Sequence, residues 1–297
     1  MLTRHSPSSG AGSPDVWGFY EKDTGSIQYL VADPQTRKGV LIDVVQDFDP
    51  AEARTSFDSA DEILDFAARQ GITIERVLDT HPHADHVMAS AYLKDKLGVP
   101  NAIGEKVLEI ADLWRELYNL PDAFDPARDF DDLFADGATF PVGSLEVRVL
   151  LSPGHTLGSV TYIVGDAAFV HDTLMYPDMG SSRADFPGGD AGMLWDSIQE
   201  ILSLPPRTRL FVGHDYGADG RDEIRWEAMV AEHRKANKHV RDGITKDEFV
   251  RTRTERDATL SLPDRMLHAL QINLRAGRLP PAEADGNVYL KIPANRF

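Results

Sequence analysis

The stretch "DTHPHADHVMAS", residues 79–90, places His81, His83, Asp85 and His86 within six positions. Neutral imidazoles and carboxylates together suit Zn, Fe or Mn, metals of intermediate hardness. In an extended turn, side chains two apart project the same way. His81 and His83 can therefore converge on one point, while Asp85 and His86, past the bend, can face a second. A lone histidine is more often a surface or hydrogen-bonded residue, but four candidate ligands in one turn favour a metal. Three further segments have the same form. "LLSPGHTLGS" offers His155, "AAFVHDTLM" offers Asp172 and "LFVGHDYG" offers His214, each where an apolar run enters a polar turn. Gly154 lets the backbone turn tightly beside His155. Taken singly these three are weak signals, and Asp172 could merely cap a turn.

These residues need elements to position them. Two short β-rich runs, "SIQYLVAD" and "RKGVLIDV", are joined by a turn and read as paired strands. "ADEILDFAARQ" (60–70) has helical spacing and ends at Gly71, a plausible C-cap. "ITIERVLDT" reads as a strand, the ligand-rich turn follows, and "VMASAYLKDKLG" reads as a helix ending at Gly98. The six aspartates of 122–137 read as a solvated loop, since their spacing does not fit a calcium loop. From 138 the chain is β-rich, with a helix over 192–205, one more strand into His214, and a charged helical remainder from about 221. The two halves share a strand, helix and ligand-turn logic, which suggests a layered sandwich with helices outside.

The 297 residues suffice for one large domain or two ordinary ones. The expected division is a flexible lead-in over 1–14, a main domain over 15–230, and an extension over 231–297 packed on the same domain. A net charge of −17 argues against nucleic-acid binding, which needs a basic face. No apolar run approaches the roughly 18–20 residues that span a bilayer, and the first residues lack the apolar core of a secretory signal. The absence of cysteine excludes disulfides, thiolate metal sites and a cysteine nucleophile. It fits a reducing cytoplasm, which is the expected location.

The order H-x-H-x-D-H, then histidine, aspartate and a last histidine, resembles the metallo-β-lactamase fold family. All seven positions match: His81, His83, Asp85, His86, His155, Asp172 and His214. The resemblance implies an α/β fold, the αββα sandwich, with ligands at strand ends on one edge and a helical or irregular C-terminal extension. Asp43 matches the strand-end aspartate that braces the ligand turn. Within the family, "DTHPHADH", "SPGHTLGSVTYIVGDAAFVHDTLM", "GSSRADFPGGDA", "GHDYG" and "LHALQINLRAGRLPPAEADGNVYLKIP" are similar to the persulfide dioxygenase branch. His171 departs from it, standing where many relatives have glycine.

That branch implies an enzyme with one Fe(II) per chain, held by His81, His155 and Asp172, a two-histidine, one-carboxylate triad with three open positions. Zn in its place is an alternative. His83, Asp85, His86 and His214 would then orient ligands and waters. The implied substrates are glutathione persulfide and dioxygen, the products sulfite and glutathione. Arg183 is a candidate clamp for a glutathione carboxylate, because a guanidinium fork pairs bidentately with carboxylates; a salt bridge within its own loop is the alternative. Tyr216 is a candidate hydrogen-bond donor to the same peptide. The same seven residues could instead hold two metals, with Asp172 bridging, as in a glyoxalase II-like hydrolase of glutathione thioesters. A non-enzymatic metal or persulfide sensor is a third reading. Whether the chain forms a homodimer is open.

Overall fold

The structure is a computed structural model in which residues 1–296 are described. Strands β1 (Leu2–Ser6), β2 (Asp15–Tyr20), β3 (Ile27–Ala32) and β4 (Lys38–Ile42) form an antiparallel meander. A small ribbon, β5 (Val45–Asp49) and β6 (Arg54–Ser56), leads into helix α1 (Asp58–Arg69). Strand β7 (Thr73–Leu78) returns parallel to β4 and ends at the histidine-rich turn. After the turn, β8 (Val87–Met88) pairs with β5, helix α2 (Ser90–Leu97) ends at left-handed Gly98, and β9 (Asn101–Gly104) lies parallel to β7. Helices α3 (Val107–Tyr118) and α4 (Pro126–Asp129) precede β10 (Asp132–Phe134), which completes a seven-stranded sheet.

The second sheet has six strands: β11 (Thr139–Val142), β12 (Leu145–Leu151), β13 (Val160–Val164), β14 (Ala167–Phe169), β15 (Arg209–Phe211) and β16 (Glu227–Met229). Helix α5 (Ala191–Leu202) connects β14 to β15 as a parallel crossover. Helices α6 (Val230–Ala236), α7 (Lys246–Asp257) and α8 (Met266–Asn273) follow.

Alternation along the strands sets the layers. In β3 and β4, Ile27, Tyr29, Val31, Val40 and Ile42 face Val147, Val149, Tyr162, Phe169 and Phe211 of the second sheet. Leu30, Ala32 and Leu41 face the opposite way, onto Ala60, Ile63 and Ala67 of α1. On the far side, α5 buries Leu194, Ile198 and Ile201 in the core of the second sheet. The result is the expected helix–sheet–sheet–helix sandwich.

Two local expectations are corrected. Residues 1–14, expected to be loose, contain β1, and the serine-rich run after it is satisfied by the protein. Ser9 and Ser13 hydroxyls both donate to Asp166 at 2.7 Å, and Arg209 bonds Ser6, Ser13 and the carbonyl of Pro14. The aspartate-rich 122–137 segment, expected to be a plain loop, contains α4 and β10. There Asp131 Oδ2 accepts from the Asn101 amide at 3.1 Å, and Arg76 pairs with Asp132. Charge read as solvation is instead partly used to fasten an edge strand.

Candidate metal centre

Strand direction gathers the site. β4 and β7 are parallel, as are β14 and β15, and β12 runs antiparallel to β13, which is antiparallel to β14. Hence β4, β7, β12, β14 and β15 all end on one edge, where they deliver Asp43, the 79–86 turn, His155, Asp172 and His214. The two sheets are tied together there. Val160 N–H donates to the Thr80 carbonyl at 2.9 Å, Ile27 N–H to Gly213 O at 2.7 Å, and Tyr162 O–H to Asp79 O at 2.8 Å. At left-handed Gly154, an added Cβ would lie 2.2 Å from the Leu194 nitrogen, so only glycine lets α5 seat against the His155 turn.

All seven expected residues come together. His81, His155 and Asp172 form one buried group; His83, Asp85, His86 and His214 form a second beside it. The expected division of the turn is corrected: His83 groups with Asp85 and His86 rather than with His81, because its ring lies between the two, with centroids 4.0 Å from each. Asp172 Oδ2 lies 3.5 Å from His81 Nε2, 3.7 Å from His155 Nε2 and 3.3 Å from His214 Nε2. Asp85 Oδ2 lies 3.3 Å from His214 Nε2 and is the most exposed of the seven, at the rim.

The rings are held from behind. His155 Nδ1–H donates to the Arg183 carbonyl at 2.8 Å. Thr80 Oγ1 donates to Asp43 Oδ2 at 2.6 Å and thereby accepts from His81 Nδ1–H at 3.0 Å. Ser26 Oγ hydrogen-bonds His86 Nδ1 at 3.0 Å and reaches His214 Nδ1 at 3.4 Å. These bonds fix ring orientation and leave the other nitrogen inward. His81 Nε2, His86 Nε2, His214 Nε2 and Asp172 Oδ1 are buried without a hydrogen-bond partner. Buried polar atoms normally have partners, so this set of inward imidazole nitrogens and carboxylate oxygens fits a metal ion.

The electrostatics agree. Burial pushes His155 down to about 4, with Asp172 opposing, so it stands as a neutral donor. Burial also disfavours charge on His214, but Asp172 and Asp85 draw it up to about 10. Burial would raise both Asp172 and Asp85, yet the neighbouring His214 holds each below the usual carboxylate range. The paired carboxylates thus attract positive charge into the site. Asp79, fully buried behind the turn, is pushed well above that range by burial and by the charge of Asp43.

The other two candidates adjoin the cluster, Tyr216 through its ring and Arg183 through its backbone carbonyl. Tyr216 is 61% exposed, its ring stacked on His214 at 5.6 Å. The Arg183 guanidinium makes a bidentate pair with Asp185, at 2.6 and 2.8 Å, donates to Ser261 O at 2.7 Å, and lies over Phe186. Sequence reasoning missed Ser26, Thr80 and Asn273. Asn273, at the end of α8, donates to the carbonyls of His83 and His86, both at 2.8 Å, and accepts from Met88 N–H at 2.9 Å. Thr80 lies within the ligand-turn segment but is not marked by it, and Ser26 and Asn273 carry no motif; only proximity in the fold reveals the three.

Residues 25–214 match the Metallo-beta-lactamase superfamily, and the chain belongs to it. It is 53% identical to the beta-lactamase hydrolase-like protein of Xylella fastidiosa over 95% of this chain, and spans 65% of that protein's length. It is 27% identical to the persulfide dioxygenase ETHE1 of Bos taurus, over 94% of this chain and 96% of that one. Among solved structures, ETHE1 from Myxococcus xanthus superposes with a TM-score of 0.70 at 26% identity, covering 94% of this chain and 100% of that chain. The fold is that of the superfamily, and the buried histidine–aspartate cluster is a candidate metal site on it. No helix among the described residues is long and apolar enough to cross a membrane.

Proposed function

We propose that this chain is an iron-dependent dioxygenase of glutathione persulfide. The overall reaction is GSSH + O2 + H2O → GSH + sulfite + 2 H+. The observation that carries this reading is the buried group of two imidazoles and one carboxylate, His81, His155 and Asp172. The near full-length likeness to ETHE1 proteins supports it. Fe(II) held by such a triad supplies the redox chemistry and open positions for substrate.

The chain's residues do the rest. His155 and His81 present Nε2 inward because their Nδ1 atoms are tied to Arg183 O and Thr80 Oγ1. Asp172 supplies the negative charge. His83, Asp85, His86 and His214 orient substrate and water beside it, with Ser26 fixing two of those rings. Tyr216 and Arg183 are the proposed substrate contacts. For Arg183 this means exchanging its pairing with Asp185 for one with a glutathione carboxylate.

A second reading rests on Asp172 Oδ2, which lies within 3.7 Å of imidazoles from both groups, the place of a bridging carboxylate. Two metals there would supply a nucleophilic water for a thioester hydrolase. One experiment separates the readings. Metal is counted per chain, and dioxygen uptake is followed with anaerobically iron-loaded protein and glutathione persulfide. One iron and stoichiometric uptake with sulfite release are expected. Two metals, no uptake and hydrolysis of a glutathione thioester would overturn the dioxygenase reading.

A further inference from the structure

Behind the ligand turn lies a buried side-chain group that the proposed chemistry does not use. His171 opens the single turn His171–Thr173 after β14 with φ +38°, a left-handed conformation unfavourable for a residue with a side chain. It is 2% exposed. A strained backbone persists only where the surroundings hold it, and such positions gather at functional sites.

What holds His171 is visible. Its Nε2 lies 2.6 Å from Asp43 Oδ2. Its ring meets Tyr29 edge-on, with centroids 6.0 Å apart, and His83 at 5.7 Å. Behind it is Gly213, where an added Cβ would lie 2.6 Å from His171 Nδ1, so the histidine occupies the space a side chain there would take. Asp43, itself left-handed at φ +49° and 1% exposed, is surrounded by donors. Thr80 N–H donates to Oδ1 at 2.7 Å and Thr80 O–H to Oδ2 at 2.6 Å, while His83 Nε2 lies 3.1 Å from Oδ1. The His83 and His171 contacts are close, but off the line of a well-directed hydrogen bond. One carboxylate therefore orients His81, through Thr80, and His83 directly. His171 packs against the remaining side of that carboxylate.

We infer that His171 is a positioning residue for the metal centre: its ring wedges Asp43 against Thr80 and His83, fixing the angle at which His81 and His83 present their inward nitrogens. With Nε2 of His83 facing Asp43, its Nδ1 is the nitrogen left for the centre. The inference rests on the reading of the histidine cluster as a metal centre. It concerns ring orientation, and it holds whether the centre takes one metal or two.

The test uses full-length protein with Co(II) as the probe, whose visible spectrum reports ligand geometry. Three chains are compared: the parent, His171→Gly and His171→Gln. Glycine relieves the left-handed strain and removes the wedge. Glutamine places an amide N–H near the position of Nε2. The metal-free His171→Gly protein should melt at or near the parent temperature, while its Co(II) dissociation constant rises about 10–100-fold, the usual cost of losing a group that orients a ligand. Its visible bands should shift. His171→Gln, which refills the space against Asp43, should recover most of the affinity and the parent spectrum, which a role confined to overall stability does not predict.

Unchanged Co(II) affinity and spectrum in His171→Gly would overturn the proposal. So would a parent that binds one more equivalent of Co(II) than both variants, since His171 would then be a ligand in its own right together with Asp43 and His83. A parent that binds no Co(II), Fe(II) or Zn(II) would instead overturn the metal centre on which the inference rests.

Discussion

Asn273 links the C-terminal helices to the ligand turn, and its removal has a calculable effect. The side chain is fully buried. Its amide donates to the carbonyls of His83 and His86, and its oxygen accepts from Met88 N–H. Asn273→Ala leaves three backbone groups buried without this partner. Each unsatisfied group costs about 1–3 kcal/mol, and the three are neighbours, so their costs do not simply add. The expected loss is roughly 3–6 kcal/mol, a large share of the about 5–15 kcal/mol that holds a typical protein folded. Asn273→Asp keeps the shape but turns an acceptor toward two carbonyls, so it should be at least as damaging. Urea unfolding of metal-free protein measures the first effect as a drop in midpoint at constant slope. Equilibrium metal titration measures the second, a weaker site, because the freed carbonyls belong to two residues of the cluster. A loss below about 1 kcal/mol in Asn273→Ala would refute the reasoning, and would mean that water or a shifted turn satisfies those groups.

Asp172→Ala should abolish iron retention while His86→Ala keeps much of it, losing about 10–100-fold in affinity or activity; equal, complete loss of metal in both, by elemental analysis, would favour the dinuclear reading. Arg183→Ala should raise the Michaelis constant for glutathione persulfide about 10–150-fold, the equivalent of one charge-assisted bond at about 1.5–3 kcal/mol, with iron content unchanged. Intact kinetics with a lowered melting temperature would make Arg183 a brace for its loop through Asp185 and Ser261. His233 in α6 is pushed down to about 4 by burial and accepts from Asn237 Nδ2 at 3.2 Å, as a neutral ring does. Its ordinary value is about 6.5, so the unfolded chain binds the proton first. Its contribution is complete above pH 6.5 and is lost as pH falls toward 4, by roughly 3 kcal/mol in all. His233→Gln should flatten the stability profile over that window in urea titrations, and an unchanged profile would exclude the assignment.

The seven candidate ligands are legible in the sequence as one cluster because they stand at the ends of apolar runs, where strand direction leaves little freedom. Parallel pairing of β4 with β7 and of β14 with β15 converts that local signal into one shared edge. The residues that hold the rings were not legible. Ser26 stands just before β3, 60 positions from His86 and 188 from His214, yet its one hydroxyl reaches both. Asn273 lies 190 positions from His83 and resembles any polar residue near a helix end. A ligand must be one of a few residue types, so its chemistry is readable from identity and spacing. A ring can be oriented by almost any donor or acceptor, including a backbone carbonyl such as that of Arg183, so nothing in residue type marks it. The guanidinium of Arg183 shows the converse. The sequence leaves it two roles, a substrate clamp or a salt bridge within its own loop, and in the fold an aspartate two residues away takes both arms of the fork. Short-range partners compete with ligands for the same donors, and only geometry tells which is engaged. The departure at His171 follows the same logic. Its neighbour Asp172 is marked by type, but the purpose of an imidazole one position earlier emerges only when Asp43, brought in by a strand 128 residues upstream, is found 2.6 Å from its ring.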